Sequence, residues 1–172
     1  VAAPRLSTMA KKILITGASR GFGRLAVELL MARGHQVAAA LRGGEERGRT
    51  IFSHELSSTG RLHFIDLHVD RPESLASACE WVEHRWGGTL DVLVNNAGYG
   101  LMGPLEGQTD AQVRRQMEVN FFGPLSLTRA CLPYLRQARG RVINVSSIAG
   151  LVGFPFRSEE HTSELQSRFG IS

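Results

Sequence analysis

A buried strand, a glycine-rich turn and a helix follow one another near the start of the chain, and this order constrains the fold more than any other feature. Residues 11–17, KKILITG, form an apolar run ending in glycine, the pattern of a strand buried on both faces. Residues 22–34, FGRLAVELLMARG, show helical periodicity and end at Gly34. The stripe that we expect this helix to bury comprises Phe22, Leu25, Ala26, Leu29 and Leu30. The pattern predicts a strand–turn–helix unit at the start of a parallel sheet.

Four more strand patterns follow and alternate with helical segments. They lie at residues 35–41, 61–66, 90–96 and 140–147. The polar segment 43–49, GGEERGR, predicts a loop. Strands separated by helices form βαβ units with parallel strands, and right-handed crossovers favour a doubly wound arrangement. We therefore expect an α/β fold in which helices flank one parallel sheet of five strands, ordered 3-2-1-4-5.

Two capping-box patterns predict where the later helices begin. Asp70 and Glu73 form the first, at the start of a helix with apolar residues at spacings of three and four. Thr109 and Gln112 form the second, and we expect the helix that they open to continue to about residue 136.

The turn TGASRGFG, residues 16–23, has the glycines that a phosphate-binding loop needs. Gly17 permits a tight turn, whereas Gly21 and Gly23 remove side chains where a backbone must approach a ligand or a strand. The helix that follows offers free N–H groups and the positive end of its dipole, which suit a pyrophosphate. Because the turn joins a buried strand to an amphipathic helix, we expect it to bind a dinucleotide.

Four motifs, in this order and spacing, resemble the short-chain dehydrogenase/reductase family: TGASRGFG, NNAG at 95–98, Asn120, and VINVSS at 142–147. The glycine spacing is similar to that of the single-domain branch, and NNAGYGLMGPLE resembles hydroxysteroid- and retinol-dehydrogenase-like members. The resemblance covers residues 11–156 and implies a Rossmann fold that is incomplete in this chain. It also implies an NAD(P)-dependent oxidoreductase that transfers a hydride between the nicotinamide and a small-molecule carbonyl or alcohol substrate.

The resemblance also implies roles for individual residues. The Asp66 side chain would meet the adenine amino group, with Leu67 beside it. The backbone carbonyl of Asn120 would hold a water in a proton relay, and the Ser147 hydroxyl would bond the substrate oxygen. The implied catalytic residues are therefore Asn120 and Ser147. The implied cofactor-binding residues are Gly17, Ser19, Arg20, Gly21, Phe22, Gly23, Arg42, Asp66, Leu67, Asn96, Ala97, Gly98, Val119, Val145 and Ser146.

The end of the second predicted strand bears on which nicotinamide cofactor is used. NAD-binding members carry an acidic residue there, which bonds the ribose hydroxyls. In this chain Leu41 holds that position, Arg42 follows it, and Arg20 lies in the glycine turn. Guanidinium groups pair bidentately with phosphate, so the sequence favours NADP over NAD. The alternative is that Arg42 simply faces water at the end of a strand.

Pro124 predicts a disturbance in the last long helix. Proline has no N–H, so it cannot bond the carbonyl of Asn120, four residues earlier. We expect a kink there and a carbonyl that needs another partner, for which water is the simplest choice. Alternatively, Gly123 and Pro124 end one helix and start another.

The resembling family completes its catalytic group with a tyrosine about thirteen residues after the serine and a lysine one helical turn beyond it. Those positions hold Glu160 and Glu164 here, and the chain contains no Tyr-x-x-x-Lys. An exposed glutamate is ionised at neutral pH and has no proton to donate. We therefore expect this chain to be inactive, or nearly so.

The segment that should carry those residues is unusual. Residues 157–167, RSEEHTSELQS, resemble the in-frame translation of a widely used DNA-sequencing adapter. We therefore expect 157–172 to be a foreign or disordered tail, 9–156 to be the N-terminal part of a dinucleotide-binding domain, and 1–8 to be upstream reading frame or disordered. The alternative is a non-catalytic dinucleotide-binding module whose polar tail binds a partner.

Composition excludes several other classes of protein. The net charge of +4 comes from scattered arginines without a recognition motif, so we expect no nucleic-acid partner. No apolar run is long enough to span a bilayer, and residues 1–12 lack the apolar core of a secretory signal. We therefore expect a cytoplasmic protein with no membrane contact and no metal. The two cysteines, Cys79 and Cys131, are expected to be buried thiols. Homo-oligomerisation of the parent protein is left open.

Overall fold

A parallel sheet organises the computed structural model, which describes residues 9–101 and 104–147. Its strands are β1 Lys12–Thr16, β2 Gln36–Leu41, β3 Leu62–Asp66, β4 Val92–Asn95 and β5 Arg141–Asn144. Within the described residues the order is β3-β2-β1-β4-β5, and all four pairings are parallel. The predicted fold class and strand order are therefore confirmed. The expectations for residues 1–8 and 157–172 lie outside the described residues.

Helices cover both faces of the sheet. They are α1 Gly21–Ala32, α2 Gly44–Ile51, α3 His54–Ser57, α4 Pro72–Trp86, α5 Asp110–Met117 and α6 Gly123–Ala138. A short 3₁₀ turn spans Leu105–Gly107, and a π-helical turn spans Glu118–Phe122. None of the helices in the described part of the chain is long and apolar enough to cross a membrane.

The core consists of two apolar layers, one on each face of the sheet, because neighbouring residues of a strand point in opposite directions. Leu14 belongs to the layer that packs under α4 and α6, which includes Leu75, Val82 and Leu127. Ile15, the next residue, belongs to the layer that packs under α1. Both side chains are almost fully buried, which explains why the strand reads as a continuous apolar run.

The buried face of α1 differs from the predicted stripe. Gly23, Val27 and Met31, spaced by four, are the buried residues of this helix. Phe22, Leu25 and Leu29 are exposed, and Ala26 and Leu30 are only partly buried. Because Gly23 has no side chain, the start of the helix approaches the Gly17 carbonyl and Asn96 closely, and this contact fixes which face turns inward.

The polar segment 43–49 is a helix, and the loop prediction is wrong. Gly44 and Gly48 are buried in α2, and Gly48 packs directly against the Phe64 ring. The charged residues occupy the exposed face, where the Arg49 Nε donates to Glu45 Oε1 over 3.0 Å, one turn away. The two glycines therefore form the face that contacts β3, which apolar periodicity cannot reveal.

One of the two predicted capping boxes is present. At α5 the Thr109 hydroxyl accepts from the Gln112 N–H at 3.3 Å, and Gln112 Oε1 accepts from the Thr109 N–H at 2.8 Å. The Asp70–Glu73 box is absent, because Pro72 takes the first helical position and makes Arg71 the N-cap residue.

The last long helix is interrupted where Pro124 predicts a disturbance. Helical backbone runs from Asp110 to Ala138, as the sequence predicts, but it is α-helical in two parts: α5 ends at Met117 and α6 begins at Gly123. The π-helical turn lies between them, and the Gly123 N–H bonds the carbonyl of Glu118, five residues earlier. Pro124 is buried in the first turn of α6, where it needs no N–H partner.

Cys79 and Cys131 are free thiols that connect α4 to α6; Cys131 is buried as the sequence predicts, whereas Cys79 is only half-buried. Their sulfurs lie 4.0 Å apart. The hydrogen bond to Cys79 and the burial of the site raise the pKa of Cys131, whereas the same bond lowers the pKa of Cys79.

Candidate functional site

A cavity of about 620 Å³ lies at the carboxyl edge of the sheet. Its walls are the segments that follow β1, β2, β3 and β4, together with one face of α5 and the π-helical turn. The chain places β2 and β3 on one side of β1 and then returns to place β4 on the other side. The cavity therefore lies where the strand order reverses. Open α/β sheets bind their ligands at this place. The lining residues are Gly17, Ser19, Arg20, Gly21, Phe22, Gly23, Leu41, Arg42, Leu67, His68, Val69, Asp70, Asn96, Ala97, Gly98, Tyr99, Arg115 and Val119.

Three glycines shape the turn after β1 in different ways. Gly17 has φ +67°, and a Cβ there would lie 2.8 Å from Ala97 Cα. A Cβ at Gly23 would overlap the Gly17 carbonyl oxygen and lie 2.5 Å from Asn96 Nδ2. Gly21 has φ +54° and nothing within 4 Å of the same position. Gly17 and Gly23 therefore permit close packing, whereas Gly21 leaves open space for a ligand to approach the backbone.

The turn after β1 is bonded to the segment after β4. Asn96 Nδ2 donates to the carbonyls of Thr16 at 2.9 Å and Gly17 at 3.2 Å. In return, the Thr16 hydroxyl accepts from the N–H groups of Asn96 at 3.0 Å and Ala97 at 2.9 Å. These bonds hold two walls of the cavity in a fixed relation.

The N-terminus of α1 is open to the cavity. Arg20 is its N-cap residue and makes no side-chain cap bond, and no acidic residue lies in the first turn. By contrast, side-chain oxygens of Ser53 and Thr109 cap α3 and α5. The first N–H groups of α1 and the positive end of its dipole therefore remain available to an anion.

The end of β2 contributes a cation to the cavity. Leu41 is 2% exposed and belongs to the core, whereas Arg42 is exposed and lines the cavity. Arg20 lines it as well, from the turn after β1. Arg20 and Arg42 are thus two of the three arginines that line the cavity in the described part of the chain, and the position where a ribose-binding carboxylate would stand holds a leucine.

Asp66 lies at the end of β3 but does not line the cavity. Its carboxylate accepts from the Gly43 N–H at 2.8 Å and lies 3.8 Å from His68 Nε2. The observed role of the side chain is therefore to hold the loop that leads into α2. Leu67, the next residue, does line the cavity.

Asn120 uses its side chain within the protein. Its Nδ2 donates to the Tyr99 carbonyl at 2.7 Å, and its Oδ1 accepts from the Tyr99 N–H at 3.0 Å. This two-point contact holds the segment after Gly98 against the π-helical turn. Asn120 does not line the cavity, whereas its neighbour Val119 does.

The predicted residues after β5 lie outside the lining of the cavity. The Val145 N–H donates to the Asn95 carbonyl at 2.9 Å and extends the pairing with β4 by one bond. Ser146 and Ser147 follow it and are exposed. Both serines stand at the carboxyl edge of the sheet, beside the segment that begins at Asn96.

Twelve of the predicted site residues are brought together around one cavity, and five are not: Asp66, Asn120, Val145, Ser146 and Ser147. The prediction missed other lining residues, namely Leu41, His68, Val69, Asp70, Tyr99 and Arg115. Most of them follow directly on predicted residues at strand ends. Arg115 precedes Val119 by one helical turn, and this spacing was the available signal. No group of three or more metal-ligating side chains occurs among residues 9–101 and 104–147.

Residues 11–159 match the model of the short chain dehydrogenase family. The chain belongs to this family. One relative is a 3-ketodihydrosphingosine reductase of Bacteroides thetaiotaomicron, 39% identical over 146 residues, which are 84% of this chain and 50% of that protein. Another is retinol dehydrogenase 16 of Rattus norvegicus, 40% identical over 146 residues, 84% of this chain and 45% of the relative. This chain thus spans about half the length of these short chain dehydrogenase relatives.

Solved structures of similar proteins have the same fold. An alcohol dehydrogenase from the archaeon Thermococcus sibiricus, complexed with 5-hydroxy-NADP, is 28% identical and superposes with a TM-score of 0.85. The similarity covers 93% of this chain and 68% of that one. The Rossmann architecture expected from the sequence is therefore confirmed.

Proposed function

We propose that this short chain dehydrogenase binds NADP in preference to NAD, and that the parent protein transfers a hydride between this cofactor and a small-molecule carbonyl or alcohol. The observation that carries the proposal is the cavity where the strand order reverses, which the uncapped α1 N-terminus, Arg20 and Arg42 border. A pyrophosphate fits the helix terminus because of its free N–H groups and dipole. The complex of a related alcohol dehydrogenase with 5-hydroxy-NADP supports a nicotinamide dinucleotide as the ligand.

The preference for NADP is argued from charge. Arg42 directly follows Leu41, which holds the place where NAD-binding members would carry a carboxylate. Its guanidinium, with that of Arg20, would pair with the 2′-phosphate in the bidentate manner that arginine favours. The turn from Gly17 to Gly23 would hold the pyrophosphate, and open space at Gly21 admits the ligand to the backbone. When bound, the nicotinamide supplies or accepts the hydride.

Ser147 and Asn120 would act on the substrate side. The Ser147 hydroxyl is exposed at the carboxyl edge of the sheet, where it would donate to the oxygen of the substrate carbonyl. The Asn120 side chain, which is bonded to the Tyr99 backbone, fixes the residue so that its own carbonyl would hold a relay water. These roles rest on the family resemblance together with the positions of both residues in the structure.

We further propose that the 172-residue chain itself is nearly inactive, since no tyrosine–lysine pair is present to donate a proton. Loss of a general acid alone lowers a rate by about 10²–10⁴-fold. The residues that hold the expected positions, Glu160 and Glu164, belong to the segment that resembles an adapter translation. Sequencing the parent gene beyond codon 156 tests whether this segment replaces the catalytic pair. We expect the parent gene to contain a tyrosine codon and, four codons later, a lysine codon.

The experiment that tests cofactor choice is a titration of the chain with NADPH and NADH, followed by nucleotide fluorescence. We expect NADPH to bind more tightly, and Arg42→Gln to weaken NADPH by about tenfold, a loss of ~1.4 kcal/mol, without changing NADH. Arg33→Gln, an exposed arginine at the opposite end of α1, is the matched control and should bind like the wild type.

Two outcomes would contradict these proposals. Equal affinities for NADPH and NADH, unchanged by Arg42→Gln, would remove the case for the 2′-phosphate. Turnover of a panel of ketones well above a buffer blank would show that the chain has a proton donor that we have not identified.

A further inference from the structure

The cavity has two ends, because the strands that border it lie on both sides of β1. The position after β2 meets the ribose of the adenosine half in dinucleotide-binding sheets. The adenosine half would therefore lie on the side of β2 and β3, and the nicotinamide half would extend towards β4 and β5. The loop after β3, residues 67–70, thus borders the space where the adenine ring would lie.

Two charged side chains face each other at this end. Asp70 Oδ2 lies 3.9 Å from Arg115 Nη2. The Asp70 side chain is 23% exposed and that of Arg115 is 67% exposed. Both residues line the cavity, in contrast to Asp66, whose carboxylate bonds the Gly43 N–H and faces away from the lining.

The backbone on both sides of this pair is fixed by packing. The Val69 carbonyl packs against Gly123 so closely that a Cβ at Gly123 would overlap it. The loop that carries Asp70 is therefore held against the start of α6. Arg115 lies on α5 one turn before Val119, so both side chains reach the cavity from one helix face.

We propose that the Arg115 guanidinium lies over the adenine ring of the bound dinucleotide and that Asp70 positions it there. The inference rests on the proposed function. A guanidinium is planar and weakly hydrated and stacks readily on an aromatic face. A separation of 3.9 Å is longer than a hydrogen bond, so Asp70 attracts the group electrostatically and leaves it free to turn over a ring. Val119 supplies apolar contact to the same ligand from the same helix.

The chemistry separates this role from that of Arg42. A group that stacks on adenine contributes equally to every ligand with an adenosine half, whether or not a 2′-phosphate is present. A group that pairs with the 2′-phosphate contributes only to ligands that carry it. Substitution of Arg115 should therefore weaken the binding of every adenosine ligand, whereas substitution of Arg42 should weaken only ligands with a 2′-phosphate. This difference holds even where the two substitutions cause equal losses of affinity.

The test is a titration of NADPH, NADH and adenosine 2′,5′-bisphosphate with the whole chain. We expect Arg115→Gln to weaken all three by about fivefold, the effect of one exposed cation–π contact. Asp70→Asn should give the same pattern with a smaller loss of about twofold, as for a surface ion pair. Arg114→Gln, an exposed neighbour on α5 that does not line the cavity, is the matched control and should change none of them. Circular dichroism verifies that each variant is folded.

The possible outcomes are distinguishable. A loss confined to NADPH and the bisphosphate would place Arg115 on the 2′-phosphate and overturn the stacking role. No loss, or the same loss in Arg114→Gln, would also overturn it. If the wild-type chain binds neither dinucleotide, the proposed function itself fails, and the role of Arg115 fails with it.

Discussion

Replacement of Gly23 by alanine tests the packing that shapes the glycine turn. The new Cβ would overlap the Gly17 carbonyl oxygen and lie 2.5 Å from Asn96 Nδ2 and 3.0 Å from the Gly17 carbonyl carbon. Two of these three neighbours are backbone atoms, which cannot turn aside. The Asn96 amide would therefore move and give up its bonds to the carbonyls of Thr16 and Gly17.

The magnitude follows from three contributions. Each lost hydrogen bond lowers the free energy of unfolding by about 1 kcal/mol. Overpacking lowers it by a further ~1–3 kcal/mol. The better helix propensity of alanine returns about 1 kcal/mol. We therefore expect Gly23→Ala to destabilise the protein by about 2–4 kcal/mol, a large part of the ~5–15 kcal/mol typical of a domain.

Gly21→Ala is the matched control. Its φ of +54° strains any side chain, but no atom lies within 4 Å of the new Cβ. The expected loss is about 1–2 kcal/mol from backbone strain alone. Urea unfolding, followed by fluorescence of Trp81 and Trp86 on α4, measures both variants. A Gly23→Ala loss no larger than that of Gly21→Ala would refute the packing argument. Gly21 lines the cavity, and the space beside it is open. We therefore expect the main effect of Gly21→Ala to be a loss of nucleotide affinity, whereas that of Gly23→Ala is a loss of free energy of unfolding.

Two further predictions concern contacts away from the turn. Asn120→Asp keeps the acceptor for the Tyr99 N–H but sets a carboxylate against the Tyr99 carbonyl, which lies 2.7 Å from Nδ2 of the asparagine. We therefore expect urea unfolding at neutral pH to show a loss of about 1–3 kcal/mol in the free energy of unfolding. That loss should shrink as the pH falls towards about 4, where the new carboxyl gains a proton and can donate again, and a pH-independent loss would contradict this account. In labelling with iodoacetamide, Cys79 should react before Cys131, and its rate of labelling should increase as the pH rises. The hydrogen bond to Cys131 lowers the pKa of Cys79, which is half-buried, whereas the same bond and burial raise the pKa of Cys131. Peptide mapping that finds Cys131 modified first in folded protein would contradict the arrangement.

The sheet could be predicted from the sequence because every strand leaves its signal in its own residues. In β1 the three central residues, Ile13, Leu14 and Ile15, form a continuous apolar run, since the strand is buried on both faces. The face of α1 could not be predicted in the same way. Its sequence carries apolar residues on more than one side, and the contact made by Gly23, a residue without a side chain, decides which side turns inward. The glycine face of α2 was missed for the same reason.

The candidate site was predictable to the extent that it consists of segments at strand ends. The turn from Gly17 to Gly23 and the segment from Asn96 to Gly98 lie on the cavity, as their motifs indicated. The side chain of Asp66 was not predictable from its position, because its orientation depends on the Gly43 N–H, which only the folded loop brings near. Arg115 reaches the cavity from a helix that is distant in sequence from the strand-end motifs, so its spacing of one helical turn from Val119 was its sequence signal.

The bonds of the Thr16 hydroxyl restrict which side chains position 16 can accept. This group is buried and accepts from two backbone N–H groups while it donates to the Val94 carbonyl over 3.4 Å, so its whole bonding capacity is in use. Valine has nearly the same shape but would leave both N–H groups without an acceptor at the centre of the molecule. Only a short alcohol side chain suits this position. Thr16 does not line the cavity itself, but it thereby holds the turn after β1 and the segment after β4, which do, in a fixed relation.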